Sequence, residues 1–181
     1  MGNPILTVGH SNHEWSRLTD MLTSHQVELL VDVRAFPRSA RNPQFSGQHM
    51  SAALQREGID YHWAGKQLGG FRKASPKSMH RSLKMDAFRG YAEHMSTEPF
   101  AETLDELIAL IGSTQIAIMC AEADFRHCHR QFIADYMLMR GVAVSHITAD
   151  AGLSAHSLSE NARMVDGQLV YDLNSQQQLD F

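Results

Sequence analysis

Short apolar segments that alternate with amphipathic ones are the feature of this chain that most restricts its fold. The runs PILTVG, ELLVDV, QIAIMC and VAVSHI are mostly apolar and are bounded by polar turns. Such runs are typical of strands buried on both faces, and the helices between them cover such a sheet. The alternation predicts an α/β fold, with one domain over residues 1–181. Its sheet is expected to be mostly parallel and Rossmann-like, with about five strands and helices on both faces.

Length, charge and cysteine content narrow the class of protein further. A chain of 181 residues, 43% of them hydrophobic, is long enough to bury one sizeable core. The formal charge of −4 gives no bulk attraction to a polyanion. No apolar run approaches the roughly 20 residues that cross a bilayer, so no membrane is expected. Two cysteines and no secretion signal predict a reducing, cytoplasmic location. The cofactor and the oligomeric state are left open.

Start and stop signals predict the helix boundaries. Ser11 and Glu14 have the spacing of a capping box and predict a helix directly after them. Gly58 and Gly141 each follow a helical pattern, which indicates left-handed helix ends. The second of these glycines closes a helix predicted over residues 127–140.

Several polar residues come directly after the predicted strands. In open α/β sheets ligands bind beyond the carboxyl ends of the strands, so these residues are expected along one edge. They are His10, Ser11, Asp32, Arg34, Cys120 and Glu122, with Asp150 as a further candidate.

The segment IMCAEADFRHCHRQF holds both cysteines of the chain. Cys120 is expected to end a strand, and Cys128 to lie in the first turn of the next helix, where the helix dipole favours a thiolate. Either is a candidate nucleophile, and the competing interpretation is that both are small buried hydrophobes. His127 and His129 flank Cys128 on a helix, so at most one of them is expected to face the same cleft.

Two other kinds of chemistry are compatible with this segment. Cys120 and Arg126 have the Cys-x5-Arg spacing of an anion-binding loop, but Glu122 and Asp124 inside it would repel a phosphate. A phosphatase or rhodanese is therefore a minor alternative. The cysteines, Glu122 and one histidine offer ligands for zinc or iron, but the chain has no Cys-x-x-Cys pair, so no metal ligand is assigned.

Two stretches without periodicity, 34–47 and 66–84, predict long loops, and the residues after 150 predict a polar C-terminal tail. The arginines of the first loop suit a phosphate or carboxylate, although they are equally consistent with a solvated loop. Aromatic residues near these loops suit base stacking or a plain core. The arginines are Arg34, Arg38 and Arg41, and the aromatic residues are Phe36, Phe45, Trp63 and Phe71.

Four motifs occur in order along the chain: TVGHSN, LLVDVRAFPRSARNPQF, YHWAGKQLGG and CAEADFRHCHRQFIA. Together they resemble the bacterial family called domain of unknown function 488, over roughly residues 5–148. The resemblance implies a compact α/β fold and no established reaction. The signature positions of that family fall on Gly9, His10, Ser11, Asp32, Arg34, Pro37, Arg38, Leu68, Gly69, Gly70, Cys120, Glu122, Cys128, His129 and Arg130.

These patterns lead to one hypothesis and two rivals. The hypothesis is an enzyme with a cysteine thiolate, a hydrolase or transferase, acting on an anionic, nucleotide-like substrate at the strand ends. One rival is a non-enzymatic module that binds a nucleotide or nucleic acid, and the other is a protein that binds a metal through Cys, His and Glu. The candidate catalytic residues are Cys120, Cys128, His129, Glu122 and His10. The candidate substrate-binding residues are Ser11, Asp32, Arg34, Arg38 and Arg130.

Overall fold

A computed structural model describes residues 3–173, and it confirms a single α/β domain. A six-stranded sheet lies at its centre, and a separate two-stranded hairpin packs beside it. The strands of the sheet are β1 (Ile5–Gly9), β2 (Leu29–Asp32), β3 (Asp60–Trp63), β4 (Ile116–Cys120), β5 (Val144–Ile147) and β6 (Leu153–Ala155). The hairpin strands are β7 (Ala162–Val165) and β8 (Gln168–Tyr171).

Six helices connect these strands within the described residues. The longest has 13 residues, and no helix in residues 3–173 has the length and apolarity that a bilayer crossing requires. The helices are α1 (Trp15–Ser24), α2 (Gly47–Arg56), α3 (Gly65–Leu68), α4 (Asp86–His94), α5 (Glu98–Leu110) and α6 (Arg130–Met139).

The strand order of the sheet is β3-β2-β4-β1-β5-β6. The first five strands in this order pair in parallel, as predicted, and β6 joins the edge antiparallel to β5. The two strands nearest to β4 are β1 and β2, although 83 or more residues separate them from it in the chain. This order brings the carboxyl ends of β1, β2 and β4 side by side.

Alternate residues of the buried strands point to opposite faces of the sheet. On β4, Ile116 and Ile118 pack in one apolar cluster with α4, α5 and α6. Ala117 and Met119 belong to a second cluster with α1 and α2. Both faces are therefore covered by helices, as the continuous apolar strands predict. Cys120 continues the first set and faces α6.

The capping-box prediction at Ser11 is wrong. Its backbone N–H donates to the Ala121 carbonyl, and its φ of 47° is left-handed, so it does not have the extended conformation of a cap. The Ser11 hydroxyl donates to the Asn12 side chain, and α1 begins after Glu14. The two glycine predictions are confirmed, since Gly58 and Gly141 have φ of 73° and 78°.

The helix predicted over 127–140 begins later, at Arg130. Asp124 caps a short 3-10 turn over Phe125–His127 by accepting a hydrogen bond from the Arg126 backbone. Cys128 follows in an extended conformation, with φ of −134° and ψ of 151°. The prediction that Cys128 lies in the first turn of the helix is therefore wrong, because a local side-chain bond competes with the helix. The cysteine lies two residues before α6.

The chain after Asp150, predicted as a polar tail, packs onto the domain as far as residue 173. Strand β6 extends the sheet, and the β7–β8 hairpin places Tyr171 in full burial. The Tyr171 hydroxyl donates to Asp135 of α6 over 2.9 Å. Residues 174–181, which include the glutamine cluster, lie outside the described part of the chain.

Candidate active site

The sheet has a topological switch point between β1 and β4. The helix that follows β1 packs on one face and the helix that follows β4 packs on the other, which is the arrangement that opens a ligand crevice at the carboxyl ends. The loop from β4 to α6 crosses the end of β1. A Cβ at Gly9 would lie 1.9 Å from the backbone oxygen of Glu122, so this crossing requires glycine.

A cleft of about 470 Å³ opens at this edge of the sheet. The cleft brings together residues that follow three different strands, together with the segment before α6. Of the candidate residues from sequence, it is lined by His10, Arg34, Arg38, Cys120, Glu122, His127, Cys128 and His129. Ser11, Asp32 and Arg130 lie next to it without lining it. Asp150 lies elsewhere, bonded to Thr148 and Gly152.

Two sulfurs and one imidazole nitrogen meet at the base of the cleft. The Nδ1 atom of His129 lies 3.8 Å from the Sγ atoms of both Cys120 and Cys128. These three atoms all lie within 4.8 Å of one another, and both cysteines are free. We call Cys120, Cys128 and His129 the thiol cluster.

The orientation of His129 is fixed from its other side. Its Nε2 atom lies 3.0 Å from the Val33 carbonyl, which can only accept, so Nε2 carries the proton. Nδ1 of the neutral ring then presents a lone pair to the two sulfurs. The ring also packs against Tyr91, with centroids 5.0 Å apart. His127 also lines the cleft, so the expectation that at most one of the two histidines faces it is wrong. Its exposed ring lies beside Asp124, however, and His129 is the histidine in contact with the sulfurs.

The two thiols have opposite electrostatic environments. A hydrogen bond from Cys120 lowers the pKa of Cys128 well below its usual value, and His129 and Arg130 act in the same direction. The same bond, followed by burial, raises the pKa of Cys120. The two opposite shifts belong to the pair, in which Cys128 ionises more readily than Cys120.

A buried ion pair lies beside the cluster. Asp32 is fully buried and accepts from Arg34 Nε over 2.8 Å and from Arg34 Nη2 over 2.5 Å. Tyr61 donates to the same carboxylate over 2.7 Å. Burial and Asp32 raise the pKa of Tyr61, so the phenol stays protonated. The guanidinium of Arg34 is thus held by internal partners.

His10 completes this network. The Nδ1 atom of His10 donates to the Ser11 carbonyl over 2.8 Å. Its Nε2 atom therefore has a lone pair and accepts from Arg34 Nη1 at 3.1 Å. Burial is the main cause that lowers the pKa of His10 to about 4. His10 is therefore neutral at physiological pH and orients Arg34.

The buried histidines predict acid lability. Burial lowers the pKa of His146 to about 3 as well, whereas an unfolded histidine titrates near 6.5. Protons bind only the unfolded chain between these values, so stability is retained above about pH 6.5 and falls as the pH decreases towards 4. We expect each histidine to contribute up to about 1.4 kcal/mol per pH unit to this fall.

Urea denaturation between about pH 7 and pH 4.5 measures this slope. The His10→Gln variant should show a shallower pH dependence than the wild type, because one of the buried titrating groups is gone. His62→Gln, at an exposed position on β3, is the matched control. Equal slopes in wild type and His10→Gln would contradict the prediction.

Arg130 is buried beneath the loop that crosses β1. It donates to the Thr7 hydroxyl over 3.1 Å, to the Ala123 carbonyl over 3.2 Å and also to the Glu122 carbonyl. These contacts hold the loop in place. The guanidinium therefore stabilises the wall of the cleft from inside the protein.

The rim of the cleft carries two exposed charged side chains, Arg38 and Glu122. Arg38 makes no hydrogen bond or ion pair within residues 3–173, and Glu122 directs its side chain to solvent. Arg126 is exposed and forms an ion pair with Asp124 at 2.8 Å. Because Arg126 is turned to Asp124, the Cys-x5-Arg spacing does not produce an anion-binding loop.

Sequence reasoning missed three of the residues that shape the cleft. Tyr91 and Phe88 of α4 line it, and so does Met85 just before that helix. No signal in the sequence distinguishes them from other apolar residues of an amphipathic helix. Only the packing of α4 against the sheet brings them to the thiol cluster.

Comparison with known families agrees with the sequence resemblance. The model for the family described as domain of unknown function DUF488 matches residues 14–137 of this chain, which is more than half of it. The match begins later and ends earlier than the predicted residues 5–148. No curated protein and no solved structure matches.

Proposed function

This chain belongs to the domain of unknown function DUF488 family, and from that premise we propose that it is an enzyme with a cysteine nucleophile. The thiol cluster is its reactive centre, and a small anionic substrate occupies the cleft. The family name states no reaction, so the proposal is supported by the geometry of the site. Two free thiols fit a reducing compartment, which is the cytoplasm in this proposal.

The observation that carries the proposal is the position of His129 Nδ1, 3.8 Å from each sulfur. Since Nε2 donates to Val33, the nitrogen that faces the thiols has a lone pair. It can take the proton of a thiol, which yields a thiolate and an imidazolium. A Cys–His pair at the base of a cleft is the arrangement that nucleophilic catalysis requires.

Cys128 is the proposed nucleophile. The interaction with Cys120 lowers its pKa, and its position two residues before α6 places it near the positive end of the helix dipole. Cys120 is the neighbouring thiol, and its raised pKa makes it the less reactive of the two. His129 then acts as the proton acceptor and donor of the site.

The surrounding charges divide into positioning and binding roles. Arg34, with Asp32 and His10, positions the end of β2 against the cluster, because its donors are held by internal partners. Arg38 is free at the rim and is the proposed contact for substrate, whereas the carboxylate of Glu122 would repel an anion. This assignment leaves Arg38 as the cation that an anionic group would meet.

Site-resolved alkylation tests the proposal. Iodoacetamide labelling of Cys120 and Cys128 at a series of pH values, read by peptide mass spectrometry, should show Cys128 reacting well below the ordinary thiol pKa of about 8.5. His129→Gln should slow labelling of Cys128 at least about tenfold near pH 6, the effect of one pKa unit. His127→Gln is the matched control on the neighbouring exposed residue.

Two results would contradict the proposal that Cys128 is a nucleophile. Both cysteines could remain unlabelled until the protein unfolds, in which case they are core residues. Alternatively, His129→Gln could label Cys128 as fast as the His127→Gln control, which would remove the histidine from the chemistry.

A metal site is the second candidate, because three ligand atoms converge within 4.8 Å. Tetrahedral zinc with bonds of about 2.3 Å to sulfur and 2.0 Å to nitrogen separates these atoms by about 3.5 Å. The observed 3.8 Å from Nδ1 to each sulfur is close to that value. The hydrogen bond from Nε2 to Val33 is also the type of outer contact that orients metal ligands.

Metal analysis separates the two candidates. A metal-binding protein should contain about one zinc or iron per chain, and a chelator should release both cysteines for labelling. Metal-free protein with fast labelling of Cys128 would instead support the nucleophile. The analysis uses the purified wild-type chain and the Cys128→Ser variant.

A further inference from the structure

Two phenylalanines stand exposed at the mouth of the cleft. Phe36 is 72% exposed and Phe71 is 85% exposed, and Met85 beside them is 56% exposed. All three line the cleft that contains the thiol cluster. Single exposed apolar side chains are ordinary, but a group of them around one concave site indicates a surface that is covered when a ligand binds.

The backbone holds Phe71 in an unusual conformation. Its φ is 60°, in the left-handed region that bulky side chains rarely adopt. No apolar burial compensates for this conformation, because the ring is exposed. Strained residues of this kind cluster at ligand sites, where the surrounding structure imposes them. The strain at Phe71 therefore points to a function for the position of its ring.

The rings of Phe36 and Phe71 form an aromatic pair at the mouth of the cleft. Their centroids are 6.3 Å apart and their planes are tilted by 39°, which is within the range of two rings in direct contact. Because both side chains are largely exposed, the pair presents open ring faces on which a flat aromatic group can stack. A saturated group has no π-face to match them.

Charge at the rim adds a second requirement. Arg38 lines the same cleft and forms no hydrogen bond or ion pair within the described chain, so its guanidinium is available. Arg34, the other arginine of the cleft, is held by Asp32 and His10. A planar guanidinium suits a carboxylate, sulfonate or phosphate group.

We infer that the cleft binds a planar aromatic ligand that carries an anionic group. The aromatic ring stacks on the exposed pair that Phe36 and Phe71 form, and the anion contacts Arg38. This inference names the substrate class of the proposed enzyme. The ligand is a substrate only if the proposed enzymatic function is correct. The binding itself requires neither cysteine.

Calorimetry with naphthalene-1-sulfonate tests the ring site, and octane-1-sulfonate is the aliphatic comparison with the same charge. The aromatic probe should bind, and the aliphatic one should bind at least about fivefold more weakly. Phe36→Ala and Phe71→Asn should each weaken the aromatic probe roughly 5- to 100-fold, the range for loss of one stacking ring. Asn tolerates the left-handed backbone at position 71. Leu153→Ala, at an exposed apolar residue of β6, is the control.

The charge is tested separately. Arg38→Gln should weaken naphthalene-1-sulfonate and reduce the salt dependence of its binding, while the affinity for the neutral 1-naphthol stays unchanged. All measurements are repeated on the Cys120→Ser, Cys128→Ser double variant, which should bind the probe as the wild type does. If the cysteines prove unreactive, probe binding to the phenylalanine pair is still expected. Failure of the proposed enzyme function and failure of the ligand site are therefore distinguishable.

Three results would overturn the inference. The aromatic probe could bind more weakly than about 1 mM. The aliphatic probe could bind equally well, or the two phenylalanine variants could bind the aromatic probe as tightly as Leu153→Ala does.

Discussion

Replacing Asp32 by Asn is expected to lower the free energy of unfolding by about 3 to 5 kcal/mol. Asp32 is fully buried and Arg34 nearly so, and the carboxylate accepts three hydrogen bonds from Arg34 and one from Tyr61. An amide of the same shape removes the negative charge and leaves the guanidinium without a counter-ion in the interior. Breaking one half of a buried pair is more damaging than replacing both halves, because the remaining charge is uncompensated.

Urea denaturation measures this effect, and Asp60→Asn is the matched control on the neighbouring strand. Asp60 is exposed, so its loss should change stability by less than about 0.5 kcal/mol. The Arg34 side chain should also be released in Asp32→Asn, which would alter labelling of the nearby thiol cluster. A loss below about 1 kcal/mol would mean that Arg34 finds another partner and that the pair is not essential to the fold.

Replacing Asp135 by Ala is expected to cost about 4 to 5 kcal/mol. Asp135 is fully buried on α6 and accepts from His156 Nε2 at 2.8 Å, from the Tyr171 hydroxyl at 2.9 Å and from both the backbone and hydroxyl of Ser159. Alanine leaves the buried donors of His156 and Tyr171 without an acceptor. Because the three partners all belong to residues 156–171, the segment that packs on α6 should loosen first.

Hydrogen exchange shows which part of the domain loses stability. In Asp135→Ala, amides of β7 and β8 should exchange faster than those of β1 and β4, which form the centre of the sheet. Asp105→Ala removes a surface ion pair with Arg140 and should cost no more than about 1 kcal/mol. Uniform exchange over the whole domain in Asp135→Ala would show that the C-terminal segment unfolds only with the core.

Sequence patterns predicted most of the fold because they are local. The continuous apolar strands, the helical periods between them and the glycines at 58 and 141 depend on neighbouring residues alone. The errors arose where a local signal met a distant partner. Ser11 does not cap α1, because its backbone is bonded to Ala121 at the end of β4. The region after Asp150 packs because Asp135 binds it across the domain.

The candidate site divides in the same way. The sequence by itself determined that polar residues follow the strands and that the strand ends share one edge, since this follows from a parallel sheet. Only the tertiary structure decided that His129 rather than His127 faces both sulfurs, and that the guanidinium of Arg34 turns inward to Asp32. Strand order, register and the hydrogen bond to Val33 set these contacts, and they join residues that are far apart in the chain, where periodicity carries no information.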